Sequence, residues 1–132
     1  MKIISIMMGK LAFTAGKIFH RGSSMPGKIA LKIDKKILKK LKYPKIKLIV
    51  TGSSGKGSTA KLIAQVLKEN NYTVCFNEAG SNLKYGVTTA CIKNSSLFGT
   101  IKKDILVLEV DERYTKEIFE DINPNYLIVT NI

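Results

Sequence analysis

The distribution of apolar residues along this 132-residue chain predicts strands and helices in alternation. Short apolar runs, which are typical of strands, occupy residues 47–50, 73–76, 105–110 and 126–130. Apolar residues at helical spacing lie between these runs, over 58–70 and 114–121, and a shorter helix is expected near 87–92. Strands that lack a clean alternation of apolar and polar positions are typical of a parallel sheet covered on both faces. The pattern therefore predicts an α/β fold with three layers and a mostly parallel sheet.

The chain before this alternating region predicts helices. A mildly amphipathic helix is expected over 3–19 and a second helix over 29–42, which ends before a proline. A turn-rich segment, 21–28, separates them because glycine, serine and proline are concentrated there. We expect a helical segment over 1–44 and a sheet-containing domain over 45–132. Lysines interrupt the apolar N-terminus, so neither a transmembrane helix nor a signal peptide is expected.

Charge is distributed unevenly along the chain. The formal net charge is +12, and residues 1–50 hold thirteen of the 22 basic residues but one acid, Asp34. Such a segment can attract nucleic acid, an anionic membrane or an acidic partner, although a solvated lysine face over an apolar stripe is the simpler interpretation. No specific nucleic-acid partner is expected. Cys75 and Cys91 form no Cys-x-x-Cys pair, which indicates reduced thiols in a cytoplasmic protein.

A glycine-rich turn joins the first predicted strand to the next helix and carries the candidate chemistry. The sequence from Lys47 to Thr59 is Lys-Leu-Ile-Val-Thr-Gly-Ser-Ser-Gly-Lys-Gly-Ser-Thr. Glycines there let the backbone approach a phosphate, while a helix N-terminus and Lys56 supply positive charge. The alternative is a Gly-Ser turn with a chance lysine. We predict an ATP site formed by Thr51, Gly52, Ser53, Ser54, Gly55, Lys56, Gly57, Ser58 and Thr59.

Carboxylates follow the apolar run at 105–110 and are candidates for a metal. Glu109 is preceded by four apolar residues, so it is expected at the carboxyl edge of the sheet, where Mg²⁺ bound to ATP supplies a cation. Asp111 and Glu112 are weaker candidates, since they also fit a solvated helix N-terminus. Gly57 stands where many such loops place the metal-binding hydroxyl. The metal contact therefore stays open between the two following hydroxyls, Ser58 and Thr59.

Four motifs, in order, give this chain a specific family resemblance. The short loop Thr51-Gly-Ser-Ser-Gly-Lys56 resembles the T-G-T-x-G-K loop of the Mur ligase and folylpolyglutamate synthase superfamily. Segment 21–30 resembles the R-G-x-x-x-P-G-x-x-A entry of the MurT subunits of lipid II isoglutaminyl synthase. Segment 77–82, with Gly86 and Thr88 beyond it, resembles their N-x-E-G-A-N-x-x-x-G-x-T loop, and 108–112 their I-E-x-D-E strand end.

This resemblance implies the fold of a Mur ligase central domain preceded by helices, and a role in peptidoglycan synthesis. It implies that ATP and Mg²⁺ activate the D-glutamate carboxylate of lipid II, and that ammonia from a GatD-like glutamine amidotransferase subunit then forms the amide. Lys56 and Glu109 take the catalytic positions in such a site, and Asn82 joins the nucleotide-binding residues. A location in the cytoplasm, peripheral to the inner membrane face where lipid II lies, follows from the same resemblance.

Departures from the MurT pattern leave two alternatives open. Gly57-Ser58-Thr59 is what folylpolyglutamate synthases have after their lysine, and Ala79 stands where MurT has a glutamate. The first alternative is a folylpolyglutamate synthase-like ligase fragment, and the second is a non-catalytic basic binding module. The chain stops just after a predicted strand, where relatives continue, so we expect a truncated central domain that is inactive in amidation on its own.

Overall fold

The computed structural model describes residues 1–18, 24–77 and 82–131. Within these ranges three helices precede the first strand, and four strands then alternate with three more helices. In chain order they are α1 (Lys2–Ile18), α2 (Met25–Ile33), α3 (Ile37–Lys40), β1 (Ile46–Thr51), α4 (Lys56–Glu69), β2 (Val74–Phe76), α5 (Lys84–Lys93), β3 (Ile105–Glu109), α6 (Thr115–Ile122) and β4 (Tyr126–Val129).

The four strands form one parallel sheet in the order β2-β3-β1-β4. Strand β1 lies between β3 and β4, and its register pairs Val50 with Glu109 on one side and Thr51 with Val129 on the other. Because all strands run the same way, their carboxyl ends meet at one edge, which is where α/β proteins bind ligands. The predicted mostly parallel sheet is confirmed.

Apolar side chains cover both faces of the sheet and make three layers. On one face, Val50 and Val107 pack with Ala60 and Ala64 of α4. On the other face, alternate residues of the same strands pack against the remaining helices; this larger core includes Ile49, Leu106, Leu108, Val87, Cys91 and Ile118. Burial on both faces explains the apolar runs of β2, β3 and the end of β1, whereas Tyr126, Leu127 and Val129 of the edge strand β4 are between 44% and 61% exposed. The predicted three-layer α/β fold is thereby confirmed.

The N-terminal helices pack on this larger core. Ile6 of α1 and Ala30 of α2 are fully buried in the same cluster as the sheet residues, and the Ser5 hydroxyl donates a 2.7 Å hydrogen bond to the Ala30 carbonyl. Helix α2 also lies close to α5, since a Cβ atom on Gly27 would lie 1.9 Å from the Tyr85 carbonyl oxygen. Among the described residues, no helix is long and apolar enough to cross a membrane.

The helix predicted over 29–42 is wrong in its bounds. The structure has two helices there, α2 and α3, and α2 already begins at Met25 with Pro26 in its first turn. Proline is compatible with a first helical turn because no intrahelical donor is needed there. The interruption occurs at Asp34, whose carboxylate accepts hydrogen bonds from the Lys36 N–H (3.0 Å) and from Lys40 Nζ (2.7 Å). Short polar side chains of this kind compete with continued helix.

The helix predicted near 87–92 is confirmed but is longer than expected, running from Lys84 to Lys93. The predicted break over 21–28 is wrong over 25–28, which form the start of α2, and 21–23 lie outside the described residues. Of the segment 77–82, only Asn77 and Asn82 lie within them. Cys75 and Cys91 are both free and buried, as expected for reduced core thiols.

Candidate functional site

The turn between β1 and α4 depends on two glycines for its backbone conformation. Gly52 and Gly55 adopt positive φ angles of +138° and +78°, which other residues rarely adopt. At Gly52 space is also restricted, because a Cβ atom there would lie 2.2 Å from the Thr130 hydroxyl oxygen. At Gly55 a Cβ atom would meet nothing within 4 Å, so the positive φ angle, and not a lack of space, favours glycine there.

Helix α4 presents its N-terminus at the end of this turn. It starts at Lys56, directly after Gly55, and no side chain in the described ranges caps it. The first N–H groups of a helix have no intrahelical partners and carry positive partial charge, and α4 has no acidic residue in its first turn. Lys56 adds a full positive charge at the same end. The arrangement is suited to binding an anion.

A residue more than 75 positions away holds the turn in shape. Asn131 follows β4, and its Oδ1 accepts hydrogen bonds from the N–H groups of Ser53 and Ser54, both at 2.9 Å, and from the Ser53 hydroxyl at 2.8 Å. Its Nδ2 donates to the Ser54 hydroxyl at 2.6 Å. The neighbouring Thr130 hydroxyl lies 2.6 Å from the Ser54 carbonyl. Because β4 pairs with β1, the side chains of Thr130 and Asn131 lie next to the turn.

A buried carboxylate lies beside the first turn of α4. Glu109 ends β3, is 5% exposed, and its two oxygens lie 3.3 Å from the position of a Cβ atom on Gly57. Within residues 1–18, 24–77 and 82–131, no cation forms an ion pair with this carboxylate and no donor bonds to it. No buried side-chain oxygen among the described residues lacks a hydrogen-bond partner, so these unpaired oxygens reach the sheet edge, where a cation can approach them. The site therefore has the chemistry to hold a metal ion next to the turn.

The backbone of Glu109 is held by a side chain from the adjacent strand. Asn77 directly follows β2 and is fully buried. Its Nδ2 donates to the Glu109 carbonyl at 2.7 Å, and its Oδ1 accepts from the Glu109 N–H at 2.9 Å. The amide side chain thus extends the β2–β3 ladder by one residue and fixes where Glu109 leaves the sheet.

Asp111 lies near the same edge and is strongly paired. The Arg113 guanidinium donates to both of its carboxylate oxygens, at 2.9 Å and 3.1 Å, and the Arg113 N–H donates a third hydrogen bond at 2.9 Å. These bonds, together with the charges of Arg113 and Lys56, lower the pKa of Asp111 to about 2. Lys56 is therefore close enough to Asp111 for their charges to interact. Asp111 remains ionised at neutral pH.

Comparison with known proteins identifies the family to which this arrangement belongs. Residues 50–132 match the Mur ligase middle domain family, which covers more than half of the chain. The chain belongs to the Mur ligase family. A Mur ligase domain accounts for both the parallel sheet and the turn ahead of α4.

The Mur ligase relatives include MurT proteins. The chain is 35% identical over 129 residues to the lipid II isoglutaminyl synthase (glutamine-hydrolyzing) subunit MurT of Staphylococcus aureus (strain COL), covering 96% of the chain and 29% of that protein. It is 38% identical over 130 residues to the subunit of the same name from Streptococcus pneumoniae (strain ATCC BAA-255 / R6), covering 92% and 28%. The chain thus spans less than a third of the length of these relatives.

The predicted site residues of this Mur ligase domain lie together at one sheet edge. Ser58 and Thr59 are in the first turn of α4, and the geometry does not distinguish them as metal ligands. Thr51 is buried, with its hydroxyl 2.9 Å from that of Thr115. Because the Thr115 hydroxyl donates to the Asp111 carbonyl, the Thr51 proton is engaged with Thr115.

The remaining candidates are arranged around Asp111. The carbonyl of Asn82 accepts the Asp111 N–H at 2.9 Å, which brings the end of the 77–82 segment to this edge. Glu112 is exposed. The described residues contain no group of three or more histidine, cysteine or acidic side chains that can hold a metal. One carboxylate and a hydroxyl fit Mg²⁺ that is bound mainly through phosphates, rather than a metal held by protein alone.

Sequence reasoning missed several residues of the Mur ligase site because their roles depend on tertiary contacts. Asn77 was noted as part of a motif but not as the residue that positions Glu109. Thr115, Thr130 and Asn131 were not selected, although Thr-Asn directly after a predicted strand is a weak signal. Polar side chains at the carboxyl end of a parallel strand commonly face the ligand edge.

Proposed function

We propose that this chain binds ATP and Mg²⁺ at the turn between β1 and α4. The observation that carries the proposal is the position of the buried Glu109 carboxylate beside the first turn of α4, where Lys56 and the helix N-terminus also lie. A buried anion next to an anion-binding turn is unfavourable without a cation between them. Mg²⁺ bound to phosphate meets both requirements.

In this proposal the chain's own residues position the phosphates. The N–H groups of Ser53 and Ser54 are bonded to Asn131, so those at the start of α4 donate to phosphate oxygens. Lys56 adds charge to stabilise the transferred phosphoryl group. Glu109, with Ser58 or Thr59, holds the metal. ATP, when bound, supplies the phosphoryl group that activates a carboxylate. Asn77 and Asn131 act indirectly, because they hold Glu109 and the turn in place.

For the substrate, we propose that a chain of this type contributes to amidation of the D-glutamate carboxylate of lipid II. The support is similarity to two MurT subunits whose names specify lipid II isoglutaminyl synthesis with hydrolysis of glutamine. A GatD-like glutaminase subunit would supply the ammonia. The place of action would be the cytoplasmic face of the membrane, where the head group of lipid II is accessible. Because the chain spans less than a third of those relatives, amidation is proposed for the complete assembly.

Nucleotide binding is tested by titrating the chain with ATP in the presence and absence of Mg²⁺. Lys56→Ala removes the charge at the start of α4 and is expected to weaken binding at least about tenfold. Lys61→Ala is the matched control, since Lys61 is an exposed lysine on the same helix. It should leave affinity unchanged. Equal affinities for the wild type and Lys56→Ala would overturn the proposal.

The metal role of Glu109 has its own test in the same titration. Glu109→Gln keeps the shape of the side chain and removes its charge, so ATP binding should lose most of its dependence on Mg²⁺. Folding is checked by circular dichroism. If the folded variant keeps the full Mg²⁺ dependence, Glu109 does not hold the metal.

The substrate is tested in a chimera in which residues 1–132 replace the matching segment of Staphylococcus aureus MurT. With its glutaminase partner, the chimera should amidate lipid II in a glutamine-dependent reaction that Lys56→Ala abolishes. A chimera that folds and binds ATP but instead extends folates with glutamate would support the folylpolyglutamate synthase alternative. That result would leave the ATP site intact and reject the proposed substrate.

A further inference from the structure

Helix α1 exposes one continuous apolar face. Its large apolar residues at helical spacing are between 39% and 57% exposed; they are Ile3, Ile4, Met7, Met8 and Leu11. The spacing i, i+1, i+4, i+5, i+8 places all five on one side, over more than two helical turns. The opposite side is buried, where Ser5 bonds to Ala30 and Gly9 lies against Ile92. We call the exposed set the α1 apolar face.

A second exposed apolar feature adjoins the start of this helix. The turn after α5 exposes Leu97 by 47% and Phe98 by 73%. Its last residue, Gly99, lies against α1, since a Cβ atom there would be 3.3 Å from Lys2 Cδ. Single exposed apolar side chains are ordinary, but five on one face of the same helix mark a binding surface.

The surrounding charge identifies what that surface fits. Helix α1 contains no acidic residue, and Asp34 is the one acid among residues 1–50. Asp34 is itself buried and paired with Lys40 at 2.7 Å. Helix α1 itself carries Lys2 and Lys10, and Lys10 lies seven residues after Ile3, which places it at the margin of the α1 apolar face. An apolar helical face on a helix that carries lysines and no acidic residue is the pattern of a helix that lies on an anionic membrane.

We propose that the α1 apolar face docks this protein in the plane of an anionic lipid bilayer, with the lysines of α1 contacting lipid head groups. Charge also argues against a second copy of the chain as the occupant. Two copies meeting at α1 would bring together two segments that each hold thirteen basic residues and one buried acid. Like charges on opposing surfaces repel, whereas a bilayer with anionic lipid attracts both.

This inference deepens the proposed location at the membrane face, but it does not depend on the ATP site. None of the residues that form the α1 apolar face belongs to the turn at 51–55 or to α4. Lys56→Ala should therefore weaken ATP binding and leave membrane binding unchanged. The ATP-binding proposal and the membrane-docking proposal can therefore fail independently, and the two binding measurements show which one has failed.

The test is flotation of the full 132-residue chain with vesicles of phosphatidylcholine containing about a quarter phosphatidylglycerol. The chain should float with these vesicles, float much less with pure phosphatidylcholine, and be released as NaCl rises to about 0.5 M. The variant Ile4→Gln/Met7→Gln/Leu11→Gln should bind about tenfold more weakly or worse. The control is Leu62→Gln/Val66→Gln, which changes exposed apolar residues of α4 and should bind like the wild type.

A fluorescent reporter tests the orientation directly, because the chain has no tryptophan. Leu11→Trp should shift its emission to the blue with anionic vesicles and be quenched by brominated lipid, whereas Val66→Trp should do neither. Binding lost equally in the α1 and α4 variants, or no vesicle binding by the wild type, overturns the proposal. Self-association that depends on Met7 and Leu11, without vesicle binding, would instead assign the face to a second copy of the chain.

Discussion

Gly57 and Glu109 are in contact across the sheet edge: the two carboxylate oxygens of Glu109 lie 3.3 Å from the position of a Cβ atom on Gly57. In the first turn of α4, position 57 is therefore a glycine where a larger side chain would displace Glu109, the candidate metal ligand. This explains the sequence Gly-Lys-Gly at 55–57, in which the second glycine lies inside helix α4 and has no conformational requirement of its own.

Gly57→Ala should separate folding from metal binding. Alanine is favoured over glycine within a helix by roughly 0.5–1 kcal/mol, so the free energy of unfolding should stay constant or rise slightly. The added methyl group must push the Glu109 carboxylate by a few tenths of an ångström, so Mg²⁺-dependent ATP binding should fall. Urea unfolding and nucleotide titration measure the two effects. A variant with unchanged Mg²⁺-dependent affinity would show that Glu109 is not constrained by this contact.

Asn77→Ala should destabilise the sheet edge. It removes both hydrogen bonds to the Glu109 backbone and leaves a buried N–H and carbonyl without them, at a cost of about 1–3 kcal/mol. Urea unfolding measures the change. Asn70→Ala is the matched control, because Asn70 Nδ2 donates to the Val66 carbonyl on the exposed end of α4. A similar loss in both variants would mean that the buried position of Asn77 has no special importance.

Asn131→Ala should affect the phosphate-binding turn more than overall stability. Asn131 is exposed, but its Oδ1 accepts three hydrogen bonds from Ser53 and Ser54. Without them the turn samples more conformations, and ATP affinity should fall about tenfold, which corresponds to about 1.4 kcal/mol. Hydrogen exchange of the Ser53 and Ser54 amides should become faster. Unchanged exchange and affinity would show that the turn holds its shape without Asn131.

Acid titration should reveal the pairing of Asp111 with Arg113. The pKa of Asp111 is about 2 in the folded chain, below its ordinary value of 3.8, so pairing stabilises the fold fully above about pH 4. That contribution is lost as pH falls from about 4 through 2. In Arg113→Ala the pKa of Asp111 should rise toward its ordinary value. Carbon-detected NMR of the Asp111 carboxyl measures both, and an unchanged pKa in the variant would contradict the assignment.

Local patterns in the sequence were sufficient to predict the layers and the location of the candidate site. Apolar runs at 48–50 and 105–108 predicted buried parallel strands, because a strand covered on both faces has no polar side. The glycines at 52 and 55 predicted a turn there, and both adopt positive φ angles. Glu109 was placed at the sheet edge by the four apolar residues before it.

Contacts between distant residues decided the rest. Asn131 reaches the turn because β4 pairs with β1, and Asn77 reaches Glu109 because β2 pairs with β3. Neither partner can be inferred from spacing along the chain, because strand order is determined by packing of the whole sheet. Helix α2 likewise ends before Asp34, although the apolar pattern continues past that residue. The Asp34 carboxylate accepts hydrogen bonds from the Lys36 N–H and from Lys40 Nζ, which interrupts the helix. The sequence determined which local backbone conformations are available. Tertiary packing decided which polar side chains contact each other, because the energy of a hydrogen bond depends on a distance that only the folded chain sets.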